Sequence, residues 1–489
     1  MGIRELIAKV IDKDIVEIIG DNREVEIANI SFDSREIDRN SIFVAVKGAI
    51  DDGHRYISKA IERGASAVLC ERMPDSIDDN IIYIQSVEAR RIGGLMAHTL
   101  AGNPSDKMKV IGVTGTNGKT TVVTVLHQLF TALGYKCGML STVHNLVGQR
   151  IVPSTHTTGD AVKVAAMMKE MLSENCSMVF MEVSSHAVDQ ERIAGIKFAG
   201  GVFTNITRDH LDYHGTMLNY IKAKKKFFDH LPAGAFALVN VDDSNGRVMV
   251  QNTKADVKFY GTHGIPDFRF KVIEIQVSGM HLDLCGFDFY TPLTGEFNAY
   301  NLTACYGAAL LLGERELNAI TALSMVRGAE GRLEKIIGKK PVIGFVDYAH
   351  TPDALENVIL TLKDMIRGEG RLIVVLGCGG NRDVGKRPVM AKIACDLSDL
   401  VILTSDNPRD EDPDEILDQM ESGISPAKSS SALRITDRKM AIKTAVTISN
   451  DKDIILIAGK GHEQYQEIKG KRLPFSDKEI LKSYLDGAI

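Results

Sequence analysis

The segment Gly112-Val-Thr-Gly-Thr-Asn-Gly-Lys-Thr-Thr121 holds the residue types that bind a polyphosphate. Glycines let consecutive backbone N–H groups face one anion at a helix N-terminus. In such a loop, here Thr114, Gly115, Thr116, Asn117, Gly118, Lys119 and Thr120, the lysine reaches the terminal phosphates and the threonine hydroxyl holds Mg2+. The G-x-x-x-x-G-K-[ST] spacing is missed by one position: five residues separate Gly112 from Gly118, and Val113 stands where a glycine belongs. A strand-like run before the loop and a helical run after it favour a nucleotide site over a structural glycine turn. A second stretch, Gly380-Asn-Arg-Asp-Val-Gly-Lys-Arg387, has the glycine spacing but ends in arginine, so it lacks the hydroxyl ligand. Its cations Arg382, Lys386 and Arg387 suit a carboxylate or phosphate group, or else form a solvated basic turn.

Glu182, His210 and Lys224 are the next candidates. Glu182 and His210 follow short apolar runs, as Thr120 does, so their loops should open on one edge of one sheet. A carboxylate, an imidazole and a hydroxyl beside a triphosphate make an Mg2+ environment, although this ion prefers oxygen ligands. Each has a bland alternative: Glu182 a helix cap, His210 a hydrogen-bonded histidine, Lys224 one of the cations Lys222-Ala-Lys-Lys-Lys226 on a solvated helix face.

The elements that must position these residues are legible as apolar runs. Lys109–Val113 and the stretch from Thr120 to Leu133 read as strand then helix around the phosphate loop. Met178–Met181 and Gly201–Phe203 read as buried strands, and residues 268–290 alternate like antiparallel ones. Farther on, Val342–Val346, Leu372–Leu376, Leu400–Leu403 and Ile454–Ala458 each stop at a polar or glycine-rich loop. Ligands of open α/β sheets lie beyond the carboxyl ends of the strands. Asn103-Pro104 reads as a turn between units. We therefore expect an α/β chain of three domains, residues 1–103, 104–330 and 331–489, the central one a parallel-sheet P-loop-type ATPase and the last Rossmann-like.

The 489 residues are 44% hydrophobic and 25% charged, with a formal net charge of −6. No basic stripe suggests nucleic acid as a partner. No apolar run approaches the ~20 residues of a membrane span. Seven scattered cysteines without a C-x-x-C pair argue against a disulfide framework or a structural zinc site. Met1–Leu6 shows neither a signal-peptide core nor a myristoylation pattern. A cytoplasmic enzyme, working as a monomer, is the expectation.

In order along the chain stand Thr114-Gly-Thr-Asn-Gly-Lys-Thr120, Glu182-Val-Ser-Ser-His186, Asn205-Ile-Thr-Arg-Asp-His-Leu-Asp-Tyr-His214 with Ala223-Lys224, Asn298-Ala-Tyr-Asn301, Gly331-Arg-Leu-Glu334 and Asp347-Tyr-Ala-His-Thr-Pro-Asp353. This succession resembles the Mur ligase family over essentially the whole chain. The resemblance implies a substrate-binding first domain, a central ATPase and a C-terminal domain that binds the incoming amino acid. ATP, with Mg2+, would phosphorylate the γ-carboxylate of D-Glu in a UDP-N-acetylmuramoyl-dipeptide. An amine would then attack the acyl phosphate, a step in peptidoglycan precursor synthesis. It further implies that Lys224 is carbamylated, Tyr220 and Ala223 preserving the surrounding pattern, that Thr120, Glu182, His210 and Lys224 surround the metal, and that Lys119, Lys224, His210 and Glu182 are catalytic. Asn301 would meet adenine, and Arg332 and Asp347 the ribose. Ser34, Thr157, Thr158, Ser184, Gln190 and Arg192 would hold the UDP-substrate. His156 departs from the asparagine often found before the two threonines.

Asp406-Asn-Pro-Arg409 resembles the form found in members that add meso-2,6-diaminopimelate. The far carboxylate of that amino acid suits a guanidinium fork. Arg409 facing an unpaired cavity would reject lysine. Arg382, Asp406, Asn407, Pro408, Gly459 and Glu463 match the other contacts, Glu463 suiting an ammonium group. The alternatives are an L-lysine-adding member of the family, the related folylpolyglutamate synthetase, and a P-loop switch or motor protein.

Overall fold

The computed structural model describes residues 1–10, 14–20, 25–48, 51–153, 157–366 and 368–487. Alternating apolar side chains in the first segment build a sheet with two apolar faces. Its strands run Ile15–Ile19, Ile82–Ser86, Ala65–Cys70, Ser41–Ala45, Asn29–Ser31, and all but the first pair parallel. Ile42, Val44, Ala67, Leu69, Ile82 and Ile84 face the helix Ala89–Leu100 through Ile92 and Met96. Phe43, Ala45, Val68, Cys70 and Tyr83, one residue out of phase, form the opposite core.

The phosphate-loop strand Lys109–Thr114 lies inside an eleven-stranded sheet, next to its central strand. Met178–Glu182 and Phe198–Phe203 flank it in parallel, so the loops after all three emerge on one edge. Helices cover both faces here, which is why these strands read as unbroken apolar runs. Phe268–Gln276, Gly279–Leu284 and Phe287–Thr291 form the expected antiparallel meander at one margin. At the other margin the buried strand Cys137–Leu140 pairs antiparallel with the largely half-buried His144–Val147, and that with Arg150–Pro153; these four-residue strands are too short to stand out in the sequence.

The third sheet is ordered Glu334–Ile337, Ile343–Asp347, Ile454–Ala458, Leu372–Leu376, Leu400–Leu403, Ala432–Arg434. The last five are mutually parallel. A strand from late in the chain, Ile454–Ala458, is thus inserted between two earlier ones, and the loops after Asp347, Leu376, Leu403 and Ala458 share one carboxyl edge. No helix among the described residues is long and apolar enough to cross a membrane.

Where the first unit meets the second, His98 is 2% exposed and its Nε2 lies 2.7 Å from Ser105 Oγ. Burial lowers this imidazole from 6.5 to about 4. As pH falls below 6.5 the unfolded chain takes up the proton first, so the stability contributed by neutral His98 is lost between pH 6.5 and about 4. Urea unfolding over that window should carry a component of about 1.4 kcal/mol per pH unit from this residue. His98→Gln should flatten it. An unchanged slope in the variant would remove His98 as its source.

Candidate active site

Two glycines shape the phosphate loop. Gly115 has φ +152°, and a Cβ there would lie 1.9 Å from Thr204 Oγ1. Gly118 has φ +87°, and its Cβ would lie 2.6 Å from Asn301 Oδ1. Thr116 N–H donates to the Asn205 carbonyl at 2.8 Å and Asn117 N–H to Asn205 Oδ1 at 2.9 Å. That leaves the N–H groups of the first turn of the helix Lys119–Ala132 to face an anion.

Two ammonium groups converge on this loop. Lys119 Nζ donates to the carbonyls of Gly115 and Thr116, each at 2.8 Å, and Lys224 Nζ donates to that same Gly115 carbonyl at 2.8 Å. Lys224 is 1% exposed, not on a solvated face as its lysine-rich helix could suggest. Burial, and then the charge of Lys119, drive its pKa well below the usual value; burial also lowers that of Lys119, against the pull of Glu182 and Asp209. The Tyr220 ring lies 4.8 Å from Lys224 Nζ, and its hydroxyl is 3.1 Å from Thr116 Oγ1.

Glu182 ends its strand beneath the loop. Its carboxylate accepts from Thr120 Oγ1 at 2.9 Å, from Thr142 N–H at 2.8 Å and from Thr142 Oγ1 at 3.1 Å. The sequence reading did not find Thr142, which stands just past a marginal strand and belongs to no motif. His210 adopts φ +53°, donates its backbone N–H to Asp209 Oδ1, and sets its ring 4.8 Å from that of His186 and 6.2 Å from that of Tyr220. Burial, with the positive charges around it, lowers its pKa despite Asp209, so the imidazole is neutral and keeps a lone pair for a ligand. Among the described residues no three His, Cys, Asp or Glu side chains cluster closely enough to hold a metal unaided. One hydroxyl, one carboxylate and one neutral imidazole beside a phosphate loop fit Mg2+, which completes its shell with phosphate oxygens and water.

The residues matched to the UDP-substrate form a linked group. Arg192 donates to Gln190 Oε1 at 2.6 and 3.0 Å and to the Thr158 carbonyl at 2.8 Å, while Thr158 Oγ1 donates to the Glu182 carbonyl at 2.8 Å. Ser184 Oγ accepts from Ala187 N–H and caps the helix Ser185–Asp189. Thr157 is half-buried beside them, and His156 lies outside the described residues. Ser34 is buried in a turn of the first sheet, whose Glu36 reaches Lys163 at 3.6 Å.

Two residues matched to the nucleotide are held by internal bonds. Asn301 is 5% exposed, donates to Asn298 Oδ1 at 3.0 Å and packs on Gly118 of the phosphate loop. Asp347 is buried and accepts from the N–H groups of Leu333 at 2.5 Å and Ala349 at 2.6 Å. It thereby organises the loop that carries Arg332. Arg332 reaches across to Thr120 Oγ1 at 3.1 Å and lies 4.5 Å from the Tyr348 ring centroid.

The edge of the third sheet gathers the amino-acid candidates. Asn407 Nδ2 donates to Glu463 Oε2 at 2.8 Å, and Asp406 Oδ1 accepts from Asn407 N–H at 2.6 Å. Gly459, at φ +113°, would press a Cβ to 2.8 Å from Asp406 Oδ2, and the Pro408 carbonyl packs on Gly380. Arg409 adopts φ +52° and is not left unpaired, contrary to expectation: its guanidinium donates to the Gly380 carbonyl at 2.7 Å and lies 3.7 Å from Glu467 Oε2. Of the three cations in the 380–387 loop, Arg382 is exposed and Lys386 donates to the His350 carbonyl at 2.9 Å. Arg387, 0% exposed, is held by both Glu411 oxygens at 2.7 and 2.9 Å, which makes it a structural residue and not an anion contact.

Fold and site together define an α/β protein of three large sheets in which a nucleotide-type phosphate loop is bridged to the third sheet by Arg332. The chain belongs to the Mur ligase family: residues 26–97 match its "catalytic domain", 113–309 its middle domain and 331–461 its "glutamate ligase domain". It is 50% identical over 466 residues to the UDP-N-acetylmuramoyl-L-alanyl-D-glutamate–2,6-diaminopimelate ligase of Phocaeicola vulgatus, covering 95% of this chain and 96% of that one. A solved structure of a ligase with that name superposes with a TM-score of 0.67 at 32% identity, over 94% of this chain and 95% of the other. The folylpolyglutamate synthase of Mycobacterium tuberculosis, complexed with ADP and AMPPCP, shares the fold at 20% identity and a TM-score of 0.59, over 76% of this chain and 92% of that one.

Gly115→Ala should weaken ADP binding by about tenfold or more, because both the backbone angle and the Thr204 contact forbid a methyl group. Calorimetric titration with ADP reads this directly. Unchanged affinity would mean that the loop does not hold the phosphates.

Proposed function

We propose that this protein is an ATP-dependent ligase that adds meso-2,6-diaminopimelate to the γ-carboxylate of D-Glu in UDP-N-acetylmuramoyl-L-Ala-D-Glu, in peptidoglycan precursor synthesis. One observation carries the proposal. The Thr120 hydroxyl is bonded at once to Glu182 of its own sheet and to Arg332 of the third, so the phosphate loop and the amino-acid edge meet at a single atom.

In this reading Lys119 and the N–H groups of the first helical turn hold the ATP phosphates. The substrate carboxylate takes the terminal phosphoryl group with loss of ADP. The incoming amine then attacks the carbonyl carbon, phosphate leaves, and the amine proton is released as the amide forms. Mg2+, held through Thr120, Glu182 and His210, would supply the charge neutralisation that lets two anions approach. Lys224, favoured in its neutral form, is the amine able to add CO2; the carbamate would present oxygens to the metal side where an ammonium would repel it. Ser34, Thr157, Thr158, Ser184, Gln190 and Arg192 would hold the UDP-substrate. Arg409 would take the far carboxylate of diaminopimelate, with Arg382 at the rim, and Glu463 an ammonium. Residues 1–103, 104–330 and 331–489 would then be the substrate, ATPase and amino-acid domains of a cytoplasmic monomer.

Phosphate release with Mg2+-ATP and the UDP-dipeptide, compared among meso-diaminopimelate, L-lysine and no amino acid, tests the assignment. Turnover should require diaminopimelate. Arg409→Ala should lower kcat/KM for it by about 100-fold, the loss of a bidentate charged contact. Turnover with lysine alone would leave the ligase chemistry standing and overturn the role of Arg409.

A further inference from the structure

Lys460 was not singled out by its motif, yet it is 0% exposed at the centre of the amino-acid edge. Gly459 and Gly461, at φ +113° and +53°, flank it. Any side chain at Gly461 would press to 2.7 Å from the Gly331 carbonyl, so the loop turns tightly and carries the lysine inward. Nζ donates to Asn407 Oδ1 at 2.9 Å and to Glu463 Oε2 at 2.8 Å, and lies 5.6 Å from the Tyr465 ring centroid.

These contacts decide how its two partners are presented. An ammonium can only donate, and so can the Glu467 N–H that reaches the same Asn407 atom at 2.9 Å. That atom must therefore be the amide oxygen, and Nδ2 must face Glu463, to which it donates at 2.8 Å. Glu463 Oε2 thus accepts from both Lys460 and Asn407, while Oε1 accepts no hydrogen bond from the described residues. The Glu463 side chain is 16% exposed, so its carboxylate keeps access to solvent, and Oε1 is the oxygen left without a donor among the described residues.

We infer that Lys460 is a positioning residue for amino-acid recognition: it locks the Asn407 amide and aims the free oxygen of Glu463 at the ammonium group of the incoming amino acid. The inference rests on the proposed ligase function and deepens it. A cation in this place also balances the charge of Glu463 during assembly of the fold, leaving the carboxylate ordered before ligand arrives.

Steady-state kinetics of the full chain with meso-diaminopimelate test it. Lys460→Met should raise KM for the amino acid by about tenfold or more, the scale of a charged hydrogen bond, and leave KM for ATP and for the UDP-dipeptide within about twofold. Glu463→Gln should raise the same KM. Because Lys460 acts through Glu463, adding Lys460→Met to Glu463→Gln should cost nothing further. A lysine that merely stabilised the fold would shift thermal unfolding without this split between substrates. An unchanged amino-acid KM in Lys460→Met, or effects of the two changes that multiply, would overturn the inference. If Lys460→Met does not fold, Lys460→Gln, a neutral donor of similar reach, carries the same comparison. Wild-type phosphate release that ignores diaminopimelate would instead sink the ligase function, so the two failures are separable.

Discussion

Two lysine side chains share one carbonyl oxygen, and much of the site follows from that crowding. Lys119 and Lys224 both donate to Gly115 O at 2.8 Å, in surroundings that disfavour charge. Like charges this close lower each other's proton affinity and attract anions strongly. Burial lowers the proton affinity of both lysines, and the charge of Lys119 lowers that of Lys224 further, so two chemically identical groups are made unlike. The arrangement depends on Gly115, whose backbone conformation delivers the shared oxygen and whose missing side chain leaves room for Thr204.

Everything else holds other groups at fixed places around that loop. Parallel strands set Thr120, Glu182 and His210 on one edge because each follows the end of its strand. The third sheet closes on them through Arg332 to Thr120, Asn117 to Asp353 at 3.0 Å and Arg208 to Asp383 at 3.4 Å. Beside these polar contacts, Ile275, Val277 and Phe297 of the second unit pack on the core of the third.

At the carboxyl edge of the third sheet, Arg409 and Glu463 already have partners in the fold. Arg409 rests near Glu467 and on the Gly380 carbonyl, Glu463 on Lys460 and Asn407. In the proposed function, a second carboxylate would displace a weaker partner of Arg409, the 3.7 Å contact to Glu467, and would not fill an empty charged hole. Arg387 shows the opposite outcome for a neighbouring cation: hydrogen bonds to Glu411 and Gln419 and no exposure make it part of the framework.

The sequence by itself determined the class of fold and most of the chemistry. Leu372–Leu376, Leu400–Leu403 and Ile454–Ala458 read to the residue because strands buried on both faces are apolar throughout. The phosphate loop, Glu182 and Asp406–Arg409 announced themselves by residue type, since glycine, lysine and carboxylate at strand ends have few other uses. The strands from Cys137 to Pro153 did not, for each is only four residues long, and the side chains of His144–Val147 are largely half-buried. Only the tertiary structure decided which charges are buried. It placed Lys224 and Lys460 inside, paired Arg387 with Glu411, buried Asn301 and Asp347, and set Thr142 against Glu182. Burial and partnership are properties of residues distant in the chain, brought together by strand order, and no local pattern of residues encodes them.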